Sequence, residues 1–438
     1  MSKTDWGNIC GRADTCAQTG AAAFFGGVKN AQIMLNGPLW CYFYATRHLE
    51  QSHRDMGERF HGSQPDNTAV VYGTEKFLLE ALENLKADDF HPDVLLIENS
   101  CAMGLIGDDL SGIAKKAKLD FPVLTMDSGG SIGGFAEGYS KAALTLLKSL
   151  ELKKAASPNP LCVNLIGATD FYYNGKADMR EIVRLLKLCG CEVNCVLGAG
   201  SDLNSIRRLG RAALNIVIHA ELGLKIASYL KERLNQPYIV AGMPYGTSGT
   251  MDWLKKIGEA VPLKIETAMR EADEMQGYLS SWTNEIRCIW GELWLDRVIV
   301  AAPATTAIGI AQALRSEWLD TGELNVVCQN DIDVDFLQHN MADNIYIAGR
   351  DSQQIEKLLN EFDSGLLLAG SNEASIMVRN NRRDVLSCNI AFPVRDELLL
   401  TDTPFCGLKG SAHMLQRLWN GFIMHSKEKN NNSNKRRV

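Results

Sequence analysis

The sequence contains no long hydrophobic run. No window approaches the ~18 uncharged apolar residues that a membrane-spanning helix needs, so no membrane segment is expected. Met1 to Trp6 lack the apolar core of a secretory signal, and a cytoplasmic protein is expected, with its cysteines reduced or bound to metal. Excess positive charge is also missing. Lys and Arg number 45 against 52 Asp and Glu, a formal net charge of -7, which argues against nucleic acid as a partner. Gly129-Gly130-Ser131-Ile132-Gly133-Gly134 has neither GxGxxG spacing nor a P-loop lysine, so nucleotide binding by this chain is not expected. No CxxC…CxxC array occurs, which argues against a compact zinc or ferredoxin site.

What is present is an ordinary globular composition, 46% hydrophobic and 22% charged over 438 residues, enough for two to four domains. From about residue 65, short apolar runs alternate with amphipathic stretches. Strands are expected at 69–73, 94–98 and 122–126, each followed by a helical pattern. The polar, proline-bearing stretch 153–160 reads as a linker, after which the alternation restarts. A long helical stretch is expected from about Met251 to Leu295, and a third series begins at Arg297. Continuous apolar strands joined by helices indicate parallel sheets covered on both faces. The expectation is three consecutive open α/β domains, 1–158, 159–295 and 296–425, with an Asn- and Lys-rich, disordered tail at 426–438.

Twelve cysteines in such a chain need a reason. Three fall where open sheets place chemistry. Cys16 precedes a small-residue turn, and Cys41 follows Gly37-Pro38. Cys101 sits at the carboxyl end of a strand, ahead of Asp108 and Asp109, which suit the N-terminus of a helix. Thiolates there suit a soft metal or an iron–sulfur cluster. The alternative is that each is a small buried hydrophobe.

The wording around these cysteines is similar to the nitrogenase component 1 family. Cys16-x3-Gly20-Ala21, Gly37-Pro38-x-x-Cys41 and Cys101-x4-Ile106-Gly107-Asp108-Asp109 resemble that family's three cluster-ligand segments, in order. Gly138-Tyr139, Leu214-Asn215-Ile216-Val217, Pro244-Tyr245-Gly246 with Thr250, Phe392-Pro393-Val394 and Gly407-x-x-Gly410 extend the resemblance over about residues 10 to 425. The 25-residue step from Cys16 to Cys41 looks like the β-type subunit. The family includes molybdenum-iron protein subunits, cofactor-assembly scaffolds and dark-operative protochlorophyllide reductases.

The resemblance implies three Rossmann-like α/β domains and an oxidoreductase subunit. It implies pairing with a homologous component 1 subunit, as a dimer or α2β2 tetramer, and electrons from an ATP-dependent iron-protein reductase. Cys16, Cys41 and Cys101 would hold an interfacial cluster, [4Fe-4S] or P-cluster-like [8Fe-7S], and a second metal cofactor would lie at a partner or shared site. The substrate stays open, as do a scaffold role and a tetrapyrrole reductase role.

Several residues depart from the family pattern. Trp40 stands where many relatives have Gly, which would put an indole beside the cluster. Gly134 stands near a β-type cluster serine, which favours a four-iron cluster or one held by cysteines alone. Cys10 is an extra thiol, either a fourth ligand or a surface group. His219 takes roughly the place of an α-type cofactor cysteine, as a ligand or as a hydrogen-bonded structural residue. His413 reads as a helix-face residue. Cys189, Cys191 and Cys195 read as core, as do Cys162, Cys288, Cys328, Cys388 and Cys406. Arg47, His48, His53, Arg54 and Arg59 form either a solvated face or a contact for the reductase.

Overall fold

The computed structural model describes residues 15–87, 91–291, 294–331 and 341–435. These form three β-sheets in which every strand pairing is parallel. They divide into two compact units.

The first unit, Thr15–Lys176 with Glu192–Val240, holds two sheets. Its chain runs α1 (Ala17–Gly26), β1 (Ala31–Asn36), α2 (Leu39–Leu49), α3 (Met56–Arg59), β2 (Phe60–Gly62), α4 (Ala69–Tyr72), α5 (Glu75–Ala87), β3 (Val94–Asn99), α6 (Cys101–Ile106), α7 (Leu110–Ala117), β4 (Val123–Asp127) and α8 (Phe135–Ser149). The order of this first sheet is β2-β1-β3-β4. After β5 (Asn159–Ile166) the chain enters α9 (Gly175–Leu188), most of which belongs to the other unit. It returns as β6 (Glu192–Val196), α10 (Leu203–Arg207), β7 (Ala212–Val217), α11 (Ala220–Leu234) and β8 (Tyr238–Val240), giving a sheet of order β6-β5-β7-β8.

The second unit, Ala177–Cys191 with Ala241–Val438, has α12 (Thr247–Gly258), α13 (Glu266–Trp290), β9 (Trp294–Ala302), α14 (Ala304–Ala313), β10 (Asp320–Cys328), β11 (Asn344–Ile347), α15 (Ser352–Glu361), β12 (Ser364–Ala369), α16 (Ser371–Arg379), β13 (Asp384–Asn389) and α17 (Gly407–Lys435). Its sheet order is β11-β10-β9-β12-β13.

The first sheet positions the candidate site. Every residue of β1 and β3 is buried, as expected of parallel strands covered on both faces. Along β3 the side chains alternate. Leu95 and Ile97 pack with Leu78, Leu82 and Ile113, while Val94 and Leu96 pack with Ile33, Leu35 and the α1 residues Phe24 and Phe25. Helix α1 is buried along its whole length and lies against α8. A Cβ on Gly20 would collide with the Phe135 carbonyl, and one on Gly138 with the Ala17 carbonyl. The missing side chains let the two helices approach backbone to backbone.

The structure departs from the sequence pattern in three places. Residues 69–73 pattern as a strand, yet Ala69–Tyr72 is a helical turn. Thr68 N–H donates to Asp66 Oδ1 at 2.8 Å, which starts the turn, and Val71 and Tyr72 are exposed. The helical stretch expected over 251–295 is two helices, broken around Pro262, and Leu295 already lies in β9. The tail expected to be disordered from 426 continues as helix α17 through Lys435, with no glycine or proline after Gly421 to end it.

Candidate metal centre

The strands of the first sheet all end on one edge, and the loops that leave it converge there. β1 ends at Asn36 and passes through Gly37-Pro38 into α2, whose first turn carries Cys41. β3 ends at Asn99, and Cys101 opens α6. β4 runs into the glycine loop 128–134. Cys16 is the N-cap residue of α1 and pairs with Gly134 in an isolated bridge, next to an Ala17 N–H that donates to the Gly133 carbonyl at 3.1 Å.

The glycine loop thus gathers two thiols. Gly130 N–H donates to Cys101 Sγ at 2.8 Å. A Cβ at Gly129 would lie 2.7 Å from Cys101 Cα, and one at Gly130 would lie 3.4 Å from Cys16 Cβ and 3.5 Å from Cys101 Sγ. At Gly129 only a glycine leaves room for this cradle, while a Cβ at Gly130 would sit in ordinary contact with both cysteines. Cys41 completes the set. Its carbonyl accepts from Gln18 Nε2 of α1 at 3.5 Å, and its thiol pKa is raised, first by burial and then by the charges of Cys16 and Cys101. Cys41 therefore lies within electrostatic reach of both other thiols. Cys16 and Cys101 are exposed and Cys41 is half-buried.

Three thiolates held together repel one another, and a cationic group among them offsets that repulsion. Among the described residues, no group of three or more His, Cys, Asp or Glu side chains is placed to hold a single metal ion. An iron–sulfur cluster asks for a different arrangement, because each thiolate binds its own iron. The all-sulfur donor set, the side-chain-free cradle and the N–H aimed at Cys101 Sγ fit such a group.

A buried polar ladder lies beneath the loops. Ser63 Oγ donates to Asn36 Oδ1 at 2.8 Å, Asn36 Nδ2 to Asn99 Oδ1 at 2.9 Å, and Asn99 Nδ2 to Asp127 Oδ1 at 2.9 Å. Asp109 caps α7 through Gly112 N at 3.0 Å, as its sequence position suggests. Asp108 does not cap. Its carboxylate accepts from the amide and hydroxyl of Thr74, both at 2.5 Å.

The nitrogenase component 1 type oxidoreductase family matches this chain over residues 16–423, beginning on the first thiol of the cradle. The chain belongs to that family. A light-independent protochlorophyllide reductase subunit of Crocosphaera subtropica is 22% identical to this component 1 chain over 436 residues, covering 93% of it and 82% of the relative. Nitrogenase iron-molybdenum cofactor biosynthesis protein NifE of Clostridium pasteurianum is 24% identical over 378 residues, covering 84% and 80%. The solved structure "Nitrogenase Cp1 at pH 6.5" shares the fold, with a TM-score of 0.75 over 94% of this chain and 92% of that one at 17% identity.

The other candidate residues of the component 1 chain fall elsewhere. Cys10 lies outside the described residues. His219 is buried, with Nδ1 2.8 Å from the Gly167 carbonyl and Tyr172 edge-on to its ring. His413 is half-buried on α17, with Nδ1 3.0 Å from the Pro404 carbonyl. Cys162, Cys189, Cys191, Cys195, Cys328 and Cys406 are buried, and Cys388 is half-buried. Cys288 corrects the expectation of a core residue. It is exposed, because the α13 face that carries it is turned to solvent. Arg59 is no surface charge, since its guanidinium donates to the carbonyls of Phe25, Gly26, Val28 and Ala31. His53 Nε2 lies 3.2 Å from Asp170 Oδ2, and burial lowers the pKa of His48 to about 4. Arg47 and Arg54 are exposed. Trp40 points outward, 67% exposed, its ring stacked with Tyr44 and edge-on to Phe43. In the sequence the glycine loop reads only as a failed phosphate cradle. The pair Gly129-Gly130 directly after a strand was the signal for its grip on Cys101.

Proposed function

We propose that this chain is a subunit of an iron–sulfur oxidoreductase in which Cys16, Cys41 and Cys101 hold a cluster of [4Fe-4S] or [8Fe-7S] type. The observation that carries the reading is the convergence of these thiols on the glycine loop, with Gly130 N–H on Cys101 Sγ. Three thiols leave at least one iron of a four-iron cluster without a protein ligand from the described residues. A homologous component 1 subunit supplies what is missing, at the face where Cys16 and Cys101 are exposed. That face bears Leu39, Trp40, Phe43, Tyr44 and Leu105, each at least 46% exposed, as an association surface requires. When bound, the cluster supplies one-electron transfer. The chain's own residues orient the thiolates, keep side chains out of the cradle and donate an N–H to one sulfur. The donor is an ATP-dependent iron-protein reductase, in line with the family.

Likeness to a protochlorophyllide reductase over 93% of the chain favours a tetrapyrrole-type substrate as the second reading, and likeness to NifE favours a scaffold. His219 supports neither as a cofactor ligand on Nδ1, which is engaged by the Gly167 carbonyl.

Anaerobic purification with native partners, iron counting and electron paramagnetic resonance test the proposal. Wild type is expected to carry an iron–sulfur signal that Cys16→Ala, Cys41→Ala and Cys101→Ala each diminish several-fold. Cys189→Ala and Cys195→Ala should leave it intact. A wild type without any iron–sulfur signal, or triad variants indistinguishable from it, defeats the reading.

A further inference from the structure

Glu98 is an acid where the fold calls for an apolar residue. It continues the Val94–Leu96 face of β3 into the core and is wholly buried. Its Oε1 has no hydrogen-bond partner among the described residues, and its Oε2 lies 2.6 Å from Ser128 Oγ. Ser128 Oγ is also 3.1 Å from the Asn99 carbonyl. A hydroxyl has one hydrogen, whereas a carbonyl and a carboxylate only accept. An ionised Glu98 would leave one of these two contacts without a hydrogen. A protonated Glu98 satisfies both: its O–H donates to Ser128 Oγ, whose hydrogen goes to Asn99 O.

The charged groups around it do not oppose this assignment. Helix α1, which covers this face, has no ionisable side chain, and neither does β1. Helix α8 carries Glu137, Tyr139, Lys141 and Lys148, α2 carries Cys41, Tyr42, Tyr44, Arg47 and His48, α6 carries Cys101, and β4 carries Asp127. Asp127 is engaged by Asn99, and Lys141 Nζ donates to the Asp127 carbonyl at 2.7 Å. None of these charges moves the Glu98 proton. Burial raises its pKa to about 8, with the Ser128 bond opposing.

Ser128 begins the loop whose Gly130 N–H reaches Cys101 Sγ. We propose that Glu98 is a positioning residue for the cluster: with its proton it holds, through Ser128, the loop against Cys101, and ionisation of its carboxyl makes the potential of the bound group fall with pH. This rests on the iron–sulfur reading above.

Two measurements test it. The first is a redox titration followed by electron paramagnetic resonance on the iron-loaded protein between pH 6 and 9.5. Wild type should shift to lower potential as pH rises, and Glu98→Gln should be flat, because its amide still donates to Ser128 Oγ without titrating. The second is infrared spectroscopy of the metal-free protein at pH 7, where Glu98→Gln should remove one component of the protonated-carboxyl absorption and leave the contributions of Asp178 and Glu317. A wild-type potential independent of pH, an unchanged slope in Glu98→Gln, or no band lost in that variant overturns the inference and leaves the cluster reading standing. A wild type with no iron–sulfur signal overturns the cluster reading, and this inference with it.

Discussion

At the scale of single residues, buried titratable groups set how the metal-free chain responds to pH. Glu98 is pushed up from 4.5 to about 8, and Asp178, which accepts from the amides of Phe405 and Cys406, from 3.8 to about 7, both mainly by burial. The folded chain holds these protons more tightly than the unfolded one, so stability falls as pH rises from about 4 through those values. Glu317, raised to about 7, acts in the same direction. His48 acts oppositely. Lowered to about 4, it binds its proton in the unfolded chain, and stability rises between pH 4 and 6.5. His219 and His413, also lowered by burial, act as His48 does, and this opposition fades above pH 6.5, where the carboxyls dominate. The melting temperature of the metal-free protein should therefore drop between pH 6.5 and 8, with each pKa unit corresponding to about 1.4 kcal/mol. Glu98→Gln and Asp178→Asn should each flatten that drop in a calorimetric pH series, whereas a melting temperature that climbs over this range contradicts the assignment. The proposed cysteine ligands stood out in the sequence because each lies within four residues of a glycine at the start of a helical segment. Glu98 was not, because an acid at the end of an apolar run reads as the polar edge where a strand gives way to its loop. Cys288 was misread because its flanking apolar residues Ile286 and Ile289 hide the exposed face of α13.

At the scale of elements, the contact between α1 and α8 governs the cradle. Gly138→Ala would drive a methyl into the Ala17 carbonyl, next to Cys16, and should cost about 2 kcal/mol or more in urea unfolding. Gly277→Ala provides the contrast. That glycine is exposed within α13 with open space around it, and the change should add about 0.5–1 kcal/mol. Equal effects of the two substitutions would mean that backbone approach does not limit the first unit. Helices and strands with a clean period were legible, as at Val94–Asn99 and Asn344–Ile347. The Ala69–Tyr72 turn was not, because its β-branched composition favours a strand while an Asp66 side chain two residues upstream of Thr68 imposes the turn.

At the scale of the whole molecule, the alternation of strands and helices made three parallel sheets legible. It could not show that two sheets share one unit, because residues 177–191 interrupt that unit in sequence and belong to the other. The outward face of α2 gives this scale its prediction. Trp40 and Tyr44 are each 67% exposed and stacked on one another, which suits the association face proposed above. Substituting both with serine should weaken subunit association at least ~10-fold in sedimentation, since buried aromatic anchors contribute more than about 1.4 kcal/mol. Unchanged association with an unchanged circular dichroism spectrum would place the pairing surface elsewhere. The bridge from Cys16 to Gly134 also bears on the chain's biogenesis. A ribosome exposes Cys16 early, but its anchoring loop emerges only after the fourth strand of the sheet. On the iron–sulfur reading proposed above, loading of the site would therefore wait until the chain has been made past residue 134.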